Sequence, residues 1–278
     1  MNKVSFFDRR IIRSFLSYTS IIAMILSLVL IFITIPSDLK VKLGVSFGVF
    51  LSIFYVYLWR KANGLKEVKL DVDGSTVIVK SGDIFEEKGF KAIAFNEYFD
   101  TQVDDRLIAS NSLNGIFIKR KFPKSTNVLD EFIENYQFDE GEVLEEVIDR
   151  NFGKKVKYRV GTTCVYEDYL LTAFSKFDDK NRATLTMPEY LEFLINFWDQ
   201  VNRVYAQKNV SVPIFGSGIT RIKEHKSILD EELLKIMLWT YKISEMRFKY
   251  PAKLSIIIHR DKIDTINLFD IKSSKNGL

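Results

Sequence analysis

Two uncharged apolar runs near the N-terminal end constrain this chain more than any other feature. Residues 14–37 (SFLSYTSIIAMILSLVLIFITIPS) make a run of 24 without a charge, and residues 43–59 (LGVSFGVFLSIFYVYLW) a run of 17. A helix rises about 1.5 Å per residue, so about 20 apolar residues cross the hydrocarbon core of a bilayer. The first run meets that length. The second sits at the lower edge of the range and gathers Tyr55, Tyr57 and Trp59 at one end, as interfacial aromatics do. A signal peptide would be shorter, would end in a small-residue cleavage site, and would not be followed at once by a second apolar run. The connection 38–42 is too short for a domain, so the two spans are expected to form a transmembrane hairpin. Four basic residues precede the first span, and Arg60, Lys61, Lys66 and Lys69 follow the second, whereas the turn has only Lys40 and Lys42 beside Asp38. That asymmetry places both ends of the hairpin in the cytoplasm. Gly44 and Gly48 form a GxxxG pair, a spacing that lets helices approach closely. The expected organisation is a basic cytoplasmic N-terminus (1–13), two transmembrane helices within 14–61, and a cytoplasmic α/β domain (62–278).

Charge is divided in the same way. The chain carries 40 Lys or Arg and 36 Asp or Glu; residues 1–65 hold eight of the former and two of the latter, leaving 32 basic and 34 acidic residues beyond. The soluble part therefore lacks the basic excess that binds nucleic acid. Cys164 is the one cysteine, so no intrachain disulfide forms, which fits a reducing compartment. With only His225 and His259 beside it, no His/Cys metal site is expected. No Ser-His-Asp or Cys-His pairing suggests a catalytic centre.

Beyond the Ala62-Asn63-Gly64 break, β-rich runs alternate with helical ones. Strands are expected at 76–80, 92–95, 156–166, 169–175, 210–215 and 254–258, with 265–268 closing the sheet. Thr186-Met187-Pro188-Glu189 reads as a helix start, with an N-cap, a proline in the first turn and a carboxylate three residues on. A second helix is expected to open at 227–230, and the acidic stretch 139–149 to be a solvated helix face. This alternation predicts a sheet covered on both faces by helices.

Two loops could carry chemistry. In the run 213–220 (PIFGSGIT) a buried strand leads into glycines split by a serine. Backbone N–H groups there can approach a diphosphate, and the hydroxyl adds a donor. In Ser81-Gly82-Asp83-Ile84, directly after the strand TVIVK, a carboxylate could accept from an adenine amino group. Each alone is an ordinary turn. Together, TVIVKSGDIFE, then KAIAFN with a polar loop, then VPIFGSGI resemble a macro domain, the ADP-ribose-binding α/β module. The resemblance implies a macro-domain-like mixed sheet flanked by helices. It implies Asp83 and Ile84 at the adenine end, Asn96 at the mouth of the first binding loop, and Phe215, Gly216, Ser217, Gly218 and Ile219 around the phosphates. Catalytic macro domains continue with a second asparagine and a glycine run. Here Phe99 takes the asparagine's place and the loop reads DTQVDDRLIASNSLNG, so contacts there would be rebuilt around Ser110, Asn111, Ser112 and Asn114. This departure implies binding without hydrolysis.

Longer runs, AFNEYFDTQVDD, LTMPEYLEFLINFWDQVNRVYAQKNVSVPIFGSGITR and KYPAKLSIIIH, make the chain similar to the ThsA family of Thoeris antiphage effectors, of the transmembrane–macro type. That similarity implies a protein of the bacterial inner membrane. A TIR-domain partner would make the ADP-ribose-derived second messenger, an amino-acid conjugate of ADP-ribose. Binding would drive homo-oligomer assembly and disruption of membrane lipid. No cofactor is implied. Glu97, Tyr98 and Arg221 are candidates by position alone for reading the distal part of the ligand, which the sequence does not assign. A membrane-tethered ADP-ribosyl hydrolase and a non-catalytic scaffold are the competing readings.

Overall fold

A computed structural model describes residues 3–178, 182–218, 220–222, 228–244 and 246–273. The chain divides into two compact units, one of residues 1–66 with 267–270, the other of 67–266 with 271–278. The first unit holds helices α1 (Arg9–Phe32) and α2 (Ser37–Asn63). Both are long and apolar enough to cross a membrane, with mean hydropathies of 2.3 and 1.8. The break between them falls earlier than the charge pattern suggests, at 33–36 rather than 38–42. Pro36 cannot continue α1, and Asp38 is favoured in the first turn of α2, where the helix dipole attracts negative charge. Aromatic rings join the helices, Phe15 to Tyr55 at 5.3 Å and Tyr18 to Phe54 at 6.0 Å. The GxxxG pair takes no part in that packing, since a Cβ at Gly44 or Gly48 would meet nothing within 4 Å. At the charged end of the pair, Val4, Ile11 and Ala62 are buried with Tyr55, Trp59 and Phe269 against them. The Trp59 indole donates to the Val4 carbonyl at 3.0 Å, and the Asn63 side chain accepts from the Val4 amide at 3.0 Å.

The second unit is built on a sheet ordered β1-β2-β11-β9-β3-β7-β8-β10, with β6 also paired to β7. Its strands are β1 (Glu67–Val72), β2 (Ser75–Ser81), β3 (Phe90–Asn96), β6 (Thr163–Tyr166), β7 (Tyr169–Phe177), β8 (Ala183–Leu185), β9 (Val210–Pro213), β10 (Arg221–Ile222) and β11 (Leu254–Ile258). A separate hairpin pairs β4 (Val143–Glu146) with β5 (Val156–Tyr158). Strands β2, β11, β9, β3 and β7 run parallel, β1 is antiparallel to β2, β6 and β8 are antiparallel to β7, and β10 runs parallel to β8. The central strands are mostly buried, β11 at every residue, because helices cover both faces of a parallel sheet. On one face, α3 (Leu113–Lys121) and α4 (Asn127–Glu134) bury Phe117, Ile118, Leu129 and Ile133 with Ile93 and Phe95 of β3. On the other, α5 (Met187–Val204) and α6 (Asp230–Ile243) lock together through Trp198. Its ring meets Tyr241 edge-on at 5.3 Å, and its N–H donates to Thr240 at 3.2 Å. The expected mixed sheet flanked by helices is what forms.

Three expectations change. The acidic stretch 139–149 is not a helix face. Gly141, at φ +82°, turns the chain into β4, and Glu145 pairs across to Lys157 of β5 at 3.5 Å. The run 156–166 splits into β5 and β6 around Gly161 (φ +97°), where a Cβ would lie 2.4 Å from the Asn196 side chain. Residues 265–268 add no strand. β11 already has β2 and β9 on its two sides, so the chain folds into a 3₁₀ turn (Arg260–Thr265) followed by α7 (Leu268–Ser273). Helix α6 begins at Asp230, and Ser227, expected at its start, lies outside the described residues.

The start of α5 forms the expected capping box. The Thr186 amide donates to Glu189 Oε2 at 2.7 Å and the Glu189 amide to the Thr186 hydroxyl at 3.4 Å, with Lys176 Nζ 2.8 Å from Glu189 Oε1. Burial opposes ionisation of Glu189, but the Lys176 ammonium and the Thr186 donors outweigh it and hold the carboxyl down to about 2, from an ordinary 4.5. A depressed folded pKa adds stability above the unfolded value that is lost as pH falls through the folded one. Glu189→Gln should therefore lower stability by about 1–3 kcal/mol at pH 7. The gap from wild type should close as pH drops from 4.5 towards 2, as followed by denaturation of the detergent-solubilised chain.

Candidate ligand-binding site

Parallel strands end on one edge of the sheet, and ligands of open α/β sheets bind beyond those carboxyl ends. Here β2 runs into Gly82 and Asp83, β3 into Asn96, and β9 into the turn 214–218. Sequence places these segments far apart; parallel pairing brings them to the same edge. The Gly82 amide donates to the Ile258 carbonyl at 3.0 Å, tying the first loop to the end of β11. Asp83 caps a 3₁₀ turn, accepting from the Phe85 amide at 3.0 Å. Its other oxygen faces Arg120 at 3.6 Å, and that guanidinium lies over the Phe85 ring at 4.4 Å. The carboxylate remains about one-third exposed, at 32%. Ile84 is buried beneath it.

The turn after β9 has a fixed base and an open tip. Phe215 is buried against Phe193 at 4.8 Å and Phe197 at 5.0 Å, and its carbonyl accepts from the Tyr190 hydroxyl at 2.9 Å. Its ring therefore belongs to the core, and only its backbone faces the loop chemistry. Gly216 has φ +83°, a conformation that favours glycine. Gly218 is exposed, and a Cβ there would meet nothing within 4 Å. Ile219 lies outside the described residues, as does the side chain of Arg221. Lys262, which the sequence reading did not single out, donates its ammonium to the Ser217 carbonyl and pairs with Asp230 at 3.1 Å. No local pattern in HRDK marks this lysine, because the partners lie in another segment.

The loop after β3 is engaged with itself. The Asn96 side-chain carbonyl accepts from the amides of Tyr98 (3.0 Å) and Asp100 (3.2 Å), and its amide donates to Asp100 Oδ2 at 2.9 Å. Asn96 is thus a buried turn-former rather than an open contact. Phe99, at φ +48°, points into the core against Tyr158 at 5.0 Å. Asp100 is buried with Arg150 across a 2.7 Å ion pair and accepts from the Lys154 amide at 2.7 Å. The Arg150 guanidinium covers the Tyr98 ring at 3.7 Å. Glu97 is 2% exposed; one oxygen accepts from the Phe177 amide at 3.1 Å and the other stands 3.9 Å from Lys157. Burial raises its pKa, partly offset by the Phe177 amide and Lys157. Ser112 caps α3 by accepting from the Gly115 amide at 3.2 Å, and its hydroxyl lies 2.6 Å from Asn114 Oδ1. Both side chains are thereby held at the start of α3. A cleft of about 540 Å³ lined by Thr101, Val103, Ile118, Phe122, Thr126 and Asp130 contains none of the residues picked from sequence. Cys164 is buried, which pushes its thiol up to about 12 and leaves it an inert core group.

Comparison with known proteins decides the family. The model of the family described as "Thoeris protein ThsA, Macro domain" matches residues 77–259. The Thoeris protein ThsA of Bacillus amyloliquefaciens (strain Y2) is 42% identical over 219 residues, covering 77% of this chain and 73% of that protein. The chain belongs to the ThsA family of Thoeris proteins. Among solved structures, an Oceanobacillus iheyensis macrodomain mutant with ADPR aligns at 15% identity and a TM-score of 0.44, covering 76% of this chain and 97% of that one. The macrodomain from the same organism with ADP aligns at 14% identity and a TM-score of 0.42, covering 76% and 95%. The ThsA macro match spans the Asp83 turn, the Asn96 loop and the 214–218 turn, all three segments singled out above.

The two glycines of the turn should behave differently on substitution. Gly216→Ala forces a side chain into a positive-φ site and should destabilise by about 1–2 kcal/mol. Gly218→Ala enters open space and should leave the melting temperature within a degree or two of wild type, as measured by thermal denaturation.

Proposed function

We propose that this ThsA-family chain is a membrane-anchored effector of bacterial antiphage defence. Its macro domain binds an ADP-ribose-derived signal made by a TIR-domain partner. Binding drives assembly of copies of the chain and disruption of membrane lipid, which stops the infected cell. The observation that carries this reading is the turn 214–218 of a ThsA macro domain, its tip open at Gly218 and a lysine ammonium at Ser217. An open glycine tip and a cation suit a diphosphate. The one-third-exposed carboxylate of Asp83, on the same sheet edge, suits an adenine amino group. Binding without hydrolysis is favoured because the Asn96 amide is tied to Asp100 and Phe99 lies in the core, so the loop after β3 offers no free asparagine at either position. Helices α1 and α2 are long and apolar enough to span the inner membrane as a hairpin, with both ends cytoplasmic by their basic flanks. A ligand switches such a protein only by binding one of its states more tightly than another.

Calorimetric titration of the full chain in detergent, with ADP-ribose and with its amino-acid conjugates, tests the reading. Saturable binding is expected, tighter for a conjugate. Gly218→Asp sets a carboxylate against the diphosphate and should abolish both binding and ligand-triggered dye release from proteoliposomes, with the fold intact. Dye release at the wild-type level from that variant would overturn the proposal.

A further inference from the structure

Lys262 stands where two parts of the molecule meet along the chain. It lies in the 3₁₀ turn Arg260–Thr265 that follows β11, with its ammonium on the Ser217 carbonyl and on Asp230, the first residue of α6. The turn is seated in the α/β unit by Ile263 and Ile266, both buried. The next residues, 267–270, belong to the helical unit. There the Asn267 amide donates to the Lys3 carbonyl at 3.2 Å, Asp270 pairs with Arg10 at 2.7 Å, and the Arg10 guanidinium lies 4.9 Å from the centre of the Phe269 ring. Arg10 in turn binds Asp8, the N-cap of α1, at 2.7 Å. One short stretch of backbone therefore joins the phosphate turn to the residues that cap the first membrane-length helix. The chain also crosses between the units at Lys66–Glu67, where Glu67 pairs with Lys80 at the carboxyl end of β2, and at Asp270–Ile271 within α7.

We infer that Lys262 reads the diphosphate of the ligand, and that the Arg260–Thr265 turn passes this event to the base of α1. The inference rests on the ADP-ribose reading above. Without ligand, the ammonium is shared between a neutral carbonyl and Asp230, and it is 37% exposed. Phosphate oxygens are stronger acceptors than a peptide carbonyl, so a diphosphate at Gly216–Gly218 draws Lys262 away from Ser217. Asp230 is left to the positive end of α6, which stabilises it there. The turn runs directly into Asn267 and Asp270, so a shift of its backbone that follows Lys262 reaches them along the chain. The ligand thereby gains the differential contact with two states that a switch requires.

The test uses the full chain in detergent with ADP-ribose as the probe. Binding is followed by calorimetry and structural response by hydrogen–deuterium exchange. Wild type should show protection at 213–218 together with altered exchange at 260–270 and 3–13. Lys262→Met should bind about tenfold or more weakly and lose the response at 3–13 even at saturating ADP-ribose. Lys262→Arg, which keeps the charge, should restore most of both. Asp230→Asn, which removes the competing carboxylate, should bind more tightly than wild type. No binding to wild type would overturn the ADP-ribose reading itself. Binding to wild type with unchanged affinity in Lys262→Met, or with no change at 260–270 and 3–13, would overturn the role of Lys262 and leave that reading standing.

Discussion

Parallel pairing of β2, β11, β9, β3 and β7 is the constraint on which the rest of this molecule depends. In such an array every strand points the same way, so every strand delivers its following loop to the same edge. The Asp83 turn, the Asn96 loop, the 214–218 turn and the Lys262 turn share an edge for that reason alone. The strands can lie side by side because their residues are apolar on both faces and helices cover each face. A sheet with one solvated face would have needed alternating residues, and the loops would have had no such common frame.

Within that frame the loops are held in different ways. The loop after β3 is fixed by polar groups that are themselves buried: Asn96 closes the turn, Asp100 takes Arg150 and the Lys154 amide, and Phe99 fills the core. A buried ion pair of this kind adds little net stability but strongly resists loss of either partner, so it specifies the loop more than it strengthens the fold. The turn after β9 is fixed at Phe215 by packing and by the Tyr190 hydroxyl, and is then open at Gly218. The turn thus combines a rigid base with an open tip.

The N-terminal unit follows a different logic. Its helices meet through aromatic rings, and its base is held by the Trp59 indole donating to Val4, by the Val4 amide donating to Asn63, and by the Asp8–Arg10–Asp270 ion pairs. Residues near the far end of the chain thus complete the packing of its beginning. Any signal that moves the turn after β11 has a covalent path to those residues.

Much of this was legible in the sequence. The apolar runs announced two membrane-length helices, because length and absence of charge are local properties. The capping box at Thr186–Glu189 was readable for the same reason, as were the strands TVIVK, AIAF and LSIII. Other features were decided by partners remote in sequence. The acidic stretch 139–149 formed the short strand β4 because β5 supplied a pairing edge, and residues 265–268 stayed out of the sheet because β11 was already flanked. Asn96 and Phe215 looked like open contacts, but Asp100 in one case and the α5 aromatics in the other drew them inward. Lys262 gave no sign at all, since its meaning lies in Ser217 and Asp230. Sequence by itself determined the two membrane-length helices, the capped start of α5 and the core strands, because periodicity and charge act between neighbours. Only the tertiary structure decided which polar groups stay open to solvent and which face one another, because that depends on contacts between residues far apart along the chain.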